Sequence, residues 1–161
     1  MSEQDEISAE GRTVGVISDT HGLLRDGVPE IFKGVEMIVH AGDIGGRSIL
    51  HALEKIAPVT AVRGNMDSGI IAAFLNEAET FSFGGFSFHV RHDLLKLNID
   101  PAASGVDMVI TGHTHLPELK TENGVLYLNP GSAGPERPKK PISLARVSLR
   151  NGKLSARHFY L

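Results

Sequence analysis

The chain has 161 residues and a net charge of −3, with 41% hydrophobic and 22% charged residues. This length and composition predict one soluble globular domain with a substantial core. The acidic balance provides no basic field that would gather nucleic acid. Cysteine is absent, which excludes disulfides, thiolate catalysis and sulfur-ligated zinc.

The first residues predict a short tail before the domain. Residues 1–11 are acidic and lack the basic start and apolar centre of a secretory signal, so we expect a disordered N-terminal tail and a domain over residues 12–161. The longest apolar run, residues 70–75, is too short to span a bilayer. We therefore expect a cytoplasmic protein with no membrane partner.

Four β-branched apolar runs predict buried strands at Thr13–Ser18, Met37–Ala41, Val59–Val62 and Met108–Thr111. Between the second and third runs, apolar residues recur at the spacing of one helical face: Ile49, Leu50, Leu53 and Ile56. Strand, helix and strand in this order indicate a parallel sheet.

The second half of the chain predicts hairpins. "TFSFGGFSFHV" alternates aromatic and small residues about Gly84-Gly85, and Asn-Gly pairs at Asn123 and Asn151 separate other alternating segments. The pattern indicates an α/β fold in which two β-sheets face each other with helices outside.

Polar side chains follow nearly every predicted strand. Because carboxyl ends of parallel strands lie along one edge of a sheet, we expect these side chains to gather at one rim. The clusters, in chain order, hold Asp19 and His21, then Asp43, then Asn65 and Asp67, then His92, then His113 and His115.

Without Asp67, these clusters supply seven oxygen or nitrogen donors and no thiolate. One ion cannot use all seven, but two ions sharing a carboxylate could, and such donors suit Mn, Fe, Zn, Ni or Co. Each cluster alone is weak, since Gly-Asp and Gly-Asn are common in turns. Their conjunction at strand ends favours a metal site. Glycines beside Asp43, Asn65 and His113 are expected to allow tight turns and close approach of a substrate.

The stretches "DTHG", "GDIGG", "GNMD", "RHD", "GHTH" and "NPGS" resemble the calcineurin-like metallophosphoesterases, in particular their small bacterial and archaeal phosphodiesterases. The resemblance covers nearly the whole chain after Arg12. It implies a four-layer αββα sandwich of two mixed β-sheets flanked by helices. It also implies that Asp19, His21 and His115 bind a first metal ion, that Asn65, His92 and His113 bind a second, and that Asp43 bridges the two.

Two positions depart from the family pattern. Asp93 stands after His92 where related sequences have a glycine followed by a second histidine. Met66 stands where many phosphatases of the family have a histidine that assists the leaving group, and methionine cannot donate a proton.

The expected activity is hydrolysis of phosphodiesters by a metal-bridging hydroxide at a dinuclear centre. His113, Asp43 and Asn65 are the predicted catalytic residues. Manganese is the first choice of ion, with nickel, iron, zinc and cobalt as alternatives. A small-molecule phosphoester is the expected partner, no stable nucleic-acid binding is expected, and a homo-oligomer is left open.

Two other functions remain open from the sequence. One is a phosphomonoesterase or nucleotide phosphatase of the same fold, and the other is a non-catalytic scaffold like the retromer subunit of this fold. The sequence also holds further polar candidates. Asp67 and Asn129 are candidates for orienting the site or for plain turns, and His40 is expected to be a satisfied core histidine. Arg137, Lys139 and Lys140 either meet substrate at the rim or form a solvated loop.

Overall fold

A computed structural model describes residues 11–161, so residues 1–10 of the predicted tail lie outside the described residues. Within this range, no helix is long and apolar enough to cross a membrane. The elements follow one another in this order: β1 (Arg12–Ile17), α1 (Val28–Ile31), β2 (Met37–His40), α2 (Arg47–Glu54), β3 (Val59–Ala61), α3 (Gly69–Phe74), β4 (Ala78–Phe83), β5 (Phe86–Arg91), a 3₁₀ helix (Leu94–Lys96), β6 (Met108–Ile110), β7 (Glu118–Glu122), β8 (Val125–Asn129), β9 (Ser143–Arg150) and β10 (Lys153–Tyr160).

The strands form two mixed five-stranded sheets, as predicted. The first has the order β10-β9-β1-β2-β3, with β1, β2 and β3 parallel and β9 antiparallel to β1 and β10. The second has the order β4-β5-β6-β8-β7, with β5, β6 and β8 parallel. All four predicted apolar strands are confirmed to within one residue at either end.

The apolar residues lie in three layers that account for the sandwich. Between the sheets, Phe88 is fully buried and stacks on Phe81 at 5.3 Å between ring centroids. Outside the first sheet, Leu53 and Phe32 pack with the helices. Each fully buried side chain of this size contributes about 1.5–3 kcal/mol to folding. The outer face of the second sheet, around Val109, is covered by the 3₁₀ helix and the loop after it. The helical layer on this side of the sandwich is therefore thin.

The hairpin turns explain the strand register. Asn123 and Gly124 have φ of 50° and 77°, and Asn151 and Gly152 have φ of 52° and 71°. A two-residue turn that matches strand twist needs positive φ at both positions, which Asn-Gly supplies at little cost. The pairs Glu122 with Val125 and Arg150 with Lys153 close these predicted hairpins.

The topology brings polar loops of both sheets to one edge. The loops after β1 and β2 are joined by the Asp19 amide, which donates to the Gly42 carbonyl at 3.0 Å. In the second sheet, the Gly112 amide after β6 donates to the His92 carbonyl after β5 at 3.0 Å. The two sheets meet where the His113 amide donates to Asp19 Oδ2 at 3.1 Å. The predicted rim therefore draws on strands of both sheets.

Candidate metal centre

Five of the predicted ligands lie on backbone that is unusual for residues with side chains. Their φ values lie between 45° and 72°, in the left-handed region that normally favours glycine. Such strain persists only where surrounding contacts enforce it, and it concentrates at functional sites. The five residues are Asp19, His21, Asp43, His113 and His115.

Asp19, His21 and His115 form the first cluster, with donor atoms that all lie within 4.8 Å of one another. Asp19 Oδ1 is 3.1 Å from His115 Nε2 and 3.8 Å from His21 Nε2. The other oxygen of this fully buried carboxylate accepts a hydrogen bond from Ser18 Oγ at 2.7 Å. Asp19 is thus held so that one oxygen faces the two imidazoles.

The second cluster joins Asp19 to Asp43 and His92. Asp43 Oδ2 lies 3.2 Å from His92 Nε2 and 3.8 Å from His21 Nε2, so it stands between the two clusters. Asp43 Oδ1 accepts the backbone N–H of Met66 at 2.8 Å. His92 Nδ1 lies 2.7 Å from the Ala41 carbonyl and donates to it, which directs Nε2 toward the carboxylates.

Asn65 and His113 form the exposed rim of the same site. Asn65 Oδ1 is 3.2 Å from His113 Nδ1, and the His113 ring lies 5.2 Å from the His92 ring between centroids. The His113 side chain is 42% exposed, whereas that of His92 is 5% exposed. All seven predicted ligands are therefore brought together, but their assignment to particular ions stays a prediction.

The donor set fits divalent cations. Several buried donor atoms have no hydrogen-bond partner among residues 11–161, and a buried polar atom without a partner costs about 1–3 kcal/mol. Those that belong to the site are Asp19 Oδ1, His21 Nε2, His92 Nε2 and His115 Nδ1. A cation at each cluster would satisfy the first three.

Electrostatics within the site keep the carboxylates ionised. Burial raises the pKa of Asp19, but the close His115 imidazole, the Ser18 hydrogen bond and the nearby His92 outweigh it, so the pKa lies below its usual value. Burial likewise raises the pKa of Asp43, and contacts with His92 and the Met66 amide reverse that shift. Burial lowers the pKa of His92, yet the carboxylates of Asp43 and Asp19 raise it overall. Without an ion, this carboxylate pair thus favours the protonated form of His92.

Asp67 ties two site loops together. Its Oδ1 accepts the amides of Ile44 at 2.9 Å and Gly45 at 3.1 Å, and its Oδ2 accepts the amide of Gly64 at 2.9 Å. The loop that carries Asp43 is thereby fixed to the loop that carries Asn65. These contacts favour the orienting role over a solvated turn.

His40 is a satisfied core histidine, as predicted, and it also links two ligand loops. Its Nδ1 accepts the Gly42 amide at 3.1 Å, which leaves Nε2 to donate to Thr20 Oγ1 at 2.9 Å. Thr20 Oγ1 in turn donates to the Ile44 carbonyl at 2.8 Å. Complete burial lowers the pKa of His40 to about 3, so the ring is neutral. Sequence patterns could show its burial but not this bridge.

Asn129 orients the histidine loop. Its Nδ2 donates to the Gly112 carbonyl at 2.9 Å and to Thr114 Oγ1 at 3.0 Å. Lys140 Nζ also reaches this loop, donating to the Thr114 carbonyl at 2.9 Å. Asn129 therefore acts through the loop between His113 and His115, and Lys140 anchors its own loop there.

The site glycines serve loop packing. A Cβ on Gly64 would lie 2.2 Å from Asp43 Oδ1, and one on Gly112 would lie 2.1 Å from Ser18 Oγ. These separations are far shorter than any real contact, so neither loop tolerates a side chain there. These glycines therefore let neighbouring parts of this chain approach closely, and the close approach of a substrate stays a prediction.

The two neighbours of His92 take positions that the sequence patterns did not specify. Strand alternation predicts that Arg91 points away from the side that His92 faces. However, β5 ends at Arg91, so alternation no longer applies to His92, and both residues line one cleft with Asn65. Asp93 caps the 3₁₀ helix by accepting the Leu95 amide, and its Oδ2 lies 3.9 Å from His113 Nε2.

The profile described as "Calcineurin-like phosphoesterase superfamily domain" matches residues 13–152. The chain belongs to this superfamily. A probable metallophosphoesterase of Methanothermobacter thermautotrophicus is 39% identical, over 89% of this chain and 89% of its own length. Phosphodiesterase YfcE of Escherichia coli is 30% identical, over 78% and 82%. As a superfamily member, the chain is expected to bind divalent metal and act on phosphoesters.

Solved structures of this superfamily fold include proteins of different kinds. A structure described as a novel archaeal phosphodiesterase superposes with a TM-score of 0.75 at 23% identity, covering 92% of this chain and 99% of that one. Vacuolar protein sorting 29 of Cryptosporidium parvum superposes with a TM-score of 0.73 at 21% identity, covering 94% and 99%. At these identities the superpositions establish the fold and leave activity to the residues of the site.

Proposed function

We propose that the chain is a phosphodiesterase that holds two divalent ions, with manganese as the first candidate. The observation that supports this most is the convergence of buried carboxylate and imidazole donors that lack partners within the described chain. Asp19, His21 and His115 would hold one ion, and Asn65, His92 and His113 the other. Asp43, between the clusters, would contact both.

Divalent cations bound there would lower the pKa of water toward neutrality and offset negative charge on a phosphoryl group. The chain itself supplies orientation. Asp43 is fixed by the Met66 amide, and His92 by the Ala41 carbonyl. His113, whose side chain is 42% exposed, would lie beside the phosphoryl group at the mouth of the site.

The Met66 side chain is 67% exposed and has no proton to give a leaving group. The expected substrates are therefore diesters whose leaving group departs with little protonation. Phosphomonoesters, which carry more negative charge, are the alternative within the same fold.

The test is turnover of bis(p-nitrophenyl) phosphate by protein stripped of metal and reloaded with Mn²⁺. We expect hydrolysis only after reloading, a loss of about 100-fold or more in Asp43→Asn, and little change in the exposed control Asp26→Asn. Faster turnover of p-nitrophenyl phosphate would favour a monoesterase. Reloaded protein that is inert on both esters would contradict the proposal.

One observation favours the scaffold alternative. Helix α3 and the turn before it expose Met66, Ile70 and Phe74, the last at 79%, beside the rim. Exposed apolar patches commonly mark protein interfaces. If the wild type shows no metal-dependent turnover but forms a stable complex with another protein, and Phe74→Ser loses that complex, the scaffold is supported. If Phe74→Ser keeps full turnover, the enzyme is supported.

A further inference from the structure

A cationic cleft adjoins the candidate metal centre. It is lined by Arg63, Arg91 and Lys96 together with the acidic residues Glu77 and Asp93, and it shares Asn65 and His92 with the metal site. Three cations against two carboxylates leave one positive charge in excess. A substrate whose phosphorus lies at the metal centre could therefore extend directly into this cleft.

The two arginines differ in how fully their contacts occupy them. Arg63 donates to the carbonyls of Ala72 at 3.2 Å and Leu75 at 2.9 Å, so it holds the chain around α3 in place. Its Nη2 also donates to Glu77 at 3.2 Å. The Arg63 guanidinium is therefore occupied by contacts that stabilise the fold.

Arg91 and Lys96 retain donors for a ligand. Arg91 has one contact, a 3.4 Å pair between its Nη2 and Glu77, whose carboxylate is shared with Arg63. Among residues 11–161, no hydrogen bond or ion pair engages Arg91 Nε and Nη1 or the Lys96 ammonium. The Arg91 side chain is only 13% exposed, which lowers the competition from water. Its planar guanidinium can donate two parallel hydrogen bonds to a carboxylate or a phosphate.

We propose that this cleft binds a second anionic group of the substrate, a phosphate or a carboxylate, a few bonds from the phosphodiester that is cut. Arg91 provides the directional donors, and Lys96 adds charge at the mouth. This inference rests on the proposed phosphodiesterase activity. It narrows the substrate class to diesters that carry an additional negative charge.

A matched substrate series tests the proposal. The reference is ethyl p-nitrophenyl phosphate, and two analogues carry a terminal phosphate or carboxylate on the ethyl group. We expect kcat/KM of the Mn²⁺-loaded protein to be about tenfold higher for at least one charged analogue, mainly through KM. The preferred analogue identifies the group, and the preference should weaken with added salt.

Two variants assign the preference to the cleft. Arg91→Gln is expected to remove most of the preference for the charged analogue. Lys96→Ala is expected to reduce that preference by about two- to fivefold, because an exposed ion pair is weak. The control Lys153→Ala removes an exposed lysine at the start of β10, beside the amino end of β1 and thus at the opposite edge of the sheet. Thermal unfolding of Arg91→Gln checks that its fold survives. A preference that is absent, or that both variants retain in full, would overturn the inference.

A measurement without turnover separates this inference from the proposed function. In metal-free protein, titration with inorganic phosphate should shift the NMR amide signals of residues 63–64 and 91–96, and less so in Lys96→Ala. If neither the ethyl ester nor bis(p-nitrophenyl) phosphate is hydrolysed, the proposed function fails and this titration decides whether the cleft binds anions. Amide signals that stay unmoved by phosphate would overturn the anion site itself.

Discussion

At the scale of single residues, the candidate ligands are held in position by hydrogen bonds from residues that are not ligands. Ser18, Asp67 and the Met66 amide each fix a carboxylate or its loop at hydrogen-bond distance. Such supporting contacts matter because a donor displaced by a fraction of an ångström loses much of its value to a bound ion.

His40 should give the fold a distinct pH dependence. Its folded pKa of about 3 lies below the unfolded value of 6.5, so between these values only the unfolded state takes up the proton. Stability therefore falls as pH falls, by about 2 kcal/mol from pH 6.5 to 5 for this group. Urea unfolding of metal-free protein should show this loss in wild type relative to His40→Asn. An unfolding free energy that falls equally with pH in wild type and His40→Asn would contradict this expectation. His51→Asn, on the exposed side of α2, is the control and should keep the wild-type pH dependence.

Asp67→Ala removes the acceptor of three backbone amides, those of Ile44, Gly45 and Gly64. We expect metal affinity and kcat/KM to fall by about 10- to 100-fold while the fold survives. Metal titration by calorimetry and circular dichroism measure the two effects. Asp100→Ala, which removes the acceptor of one amide far from these loops, is the matched control. If Asp67→Ala keeps the wild-type metal affinity, Asp67 is a plain turn aspartate with no orienting role.

At the scale of elements, β8 supports the loop that follows β6. Asn129, the last residue of β8, donates to Gly112 and Thr114 on either side of His113, while its own carbonyl accepts from His158 Nε2 at 2.7 Å. The position of both histidines in the loop thus depends on a neighbouring strand.

Asn129→Asp keeps the acceptor for the Gly131 amide but replaces the donor with an oxygen facing the Gly112 carbonyl. We expect a destabilisation of about 1–3 kcal/mol and a loss of activity larger than this stability change alone would cause. Unfolding in urea and Mn²⁺-dependent turnover, measured on the same preparation, separate the two. Activity that stays at the wild-type level would show that the loop carrying His113 and His115 keeps its position without the Asn129 hydrogen bonds.

Elements with a strong local signal were predictable from the sequence, and the short helices were not. Asn-Gly turns specify their hairpins because few other residue pairs accept positive φ twice. Helices α1 and α3 span four and six residues, too few for helical periodicity to emerge. The candidate ligands could be predicted because each follows a strand. The cap made by Asp93 and the position of Arg91 in the cleft could not be predicted, because they depend on where β5 ends, which alternation cannot tell.

At the scale of the whole molecule, the candidate metal centre lies where the two sheets meet. Asp19 and Asp43 come from the first sheet, and His92, His113 and His115 from the second. In the described chain, the two sheets are also joined by the apolar layer around Phe88 and by the amide of His113 on Asp19. Ions held by both sets of donors would add a further link between the sheets.

Metal binding should therefore stabilise the entire fold. Because unfolded chain holds such ions weakly, an ion at 100 times its dissociation constant adds about 2.7 kcal/mol per site, which for a chain of this length raises Tm by about 5–10 °C. Calorimetry with increasing Mn²⁺ measures the shift. Asp43→Asn should lose most of it, because this carboxylate lies between the clusters, whereas Asp26→Asn should keep it. A Tm that is independent of Mn²⁺ in wild type would mean that the donors of the two sheets do not share ions.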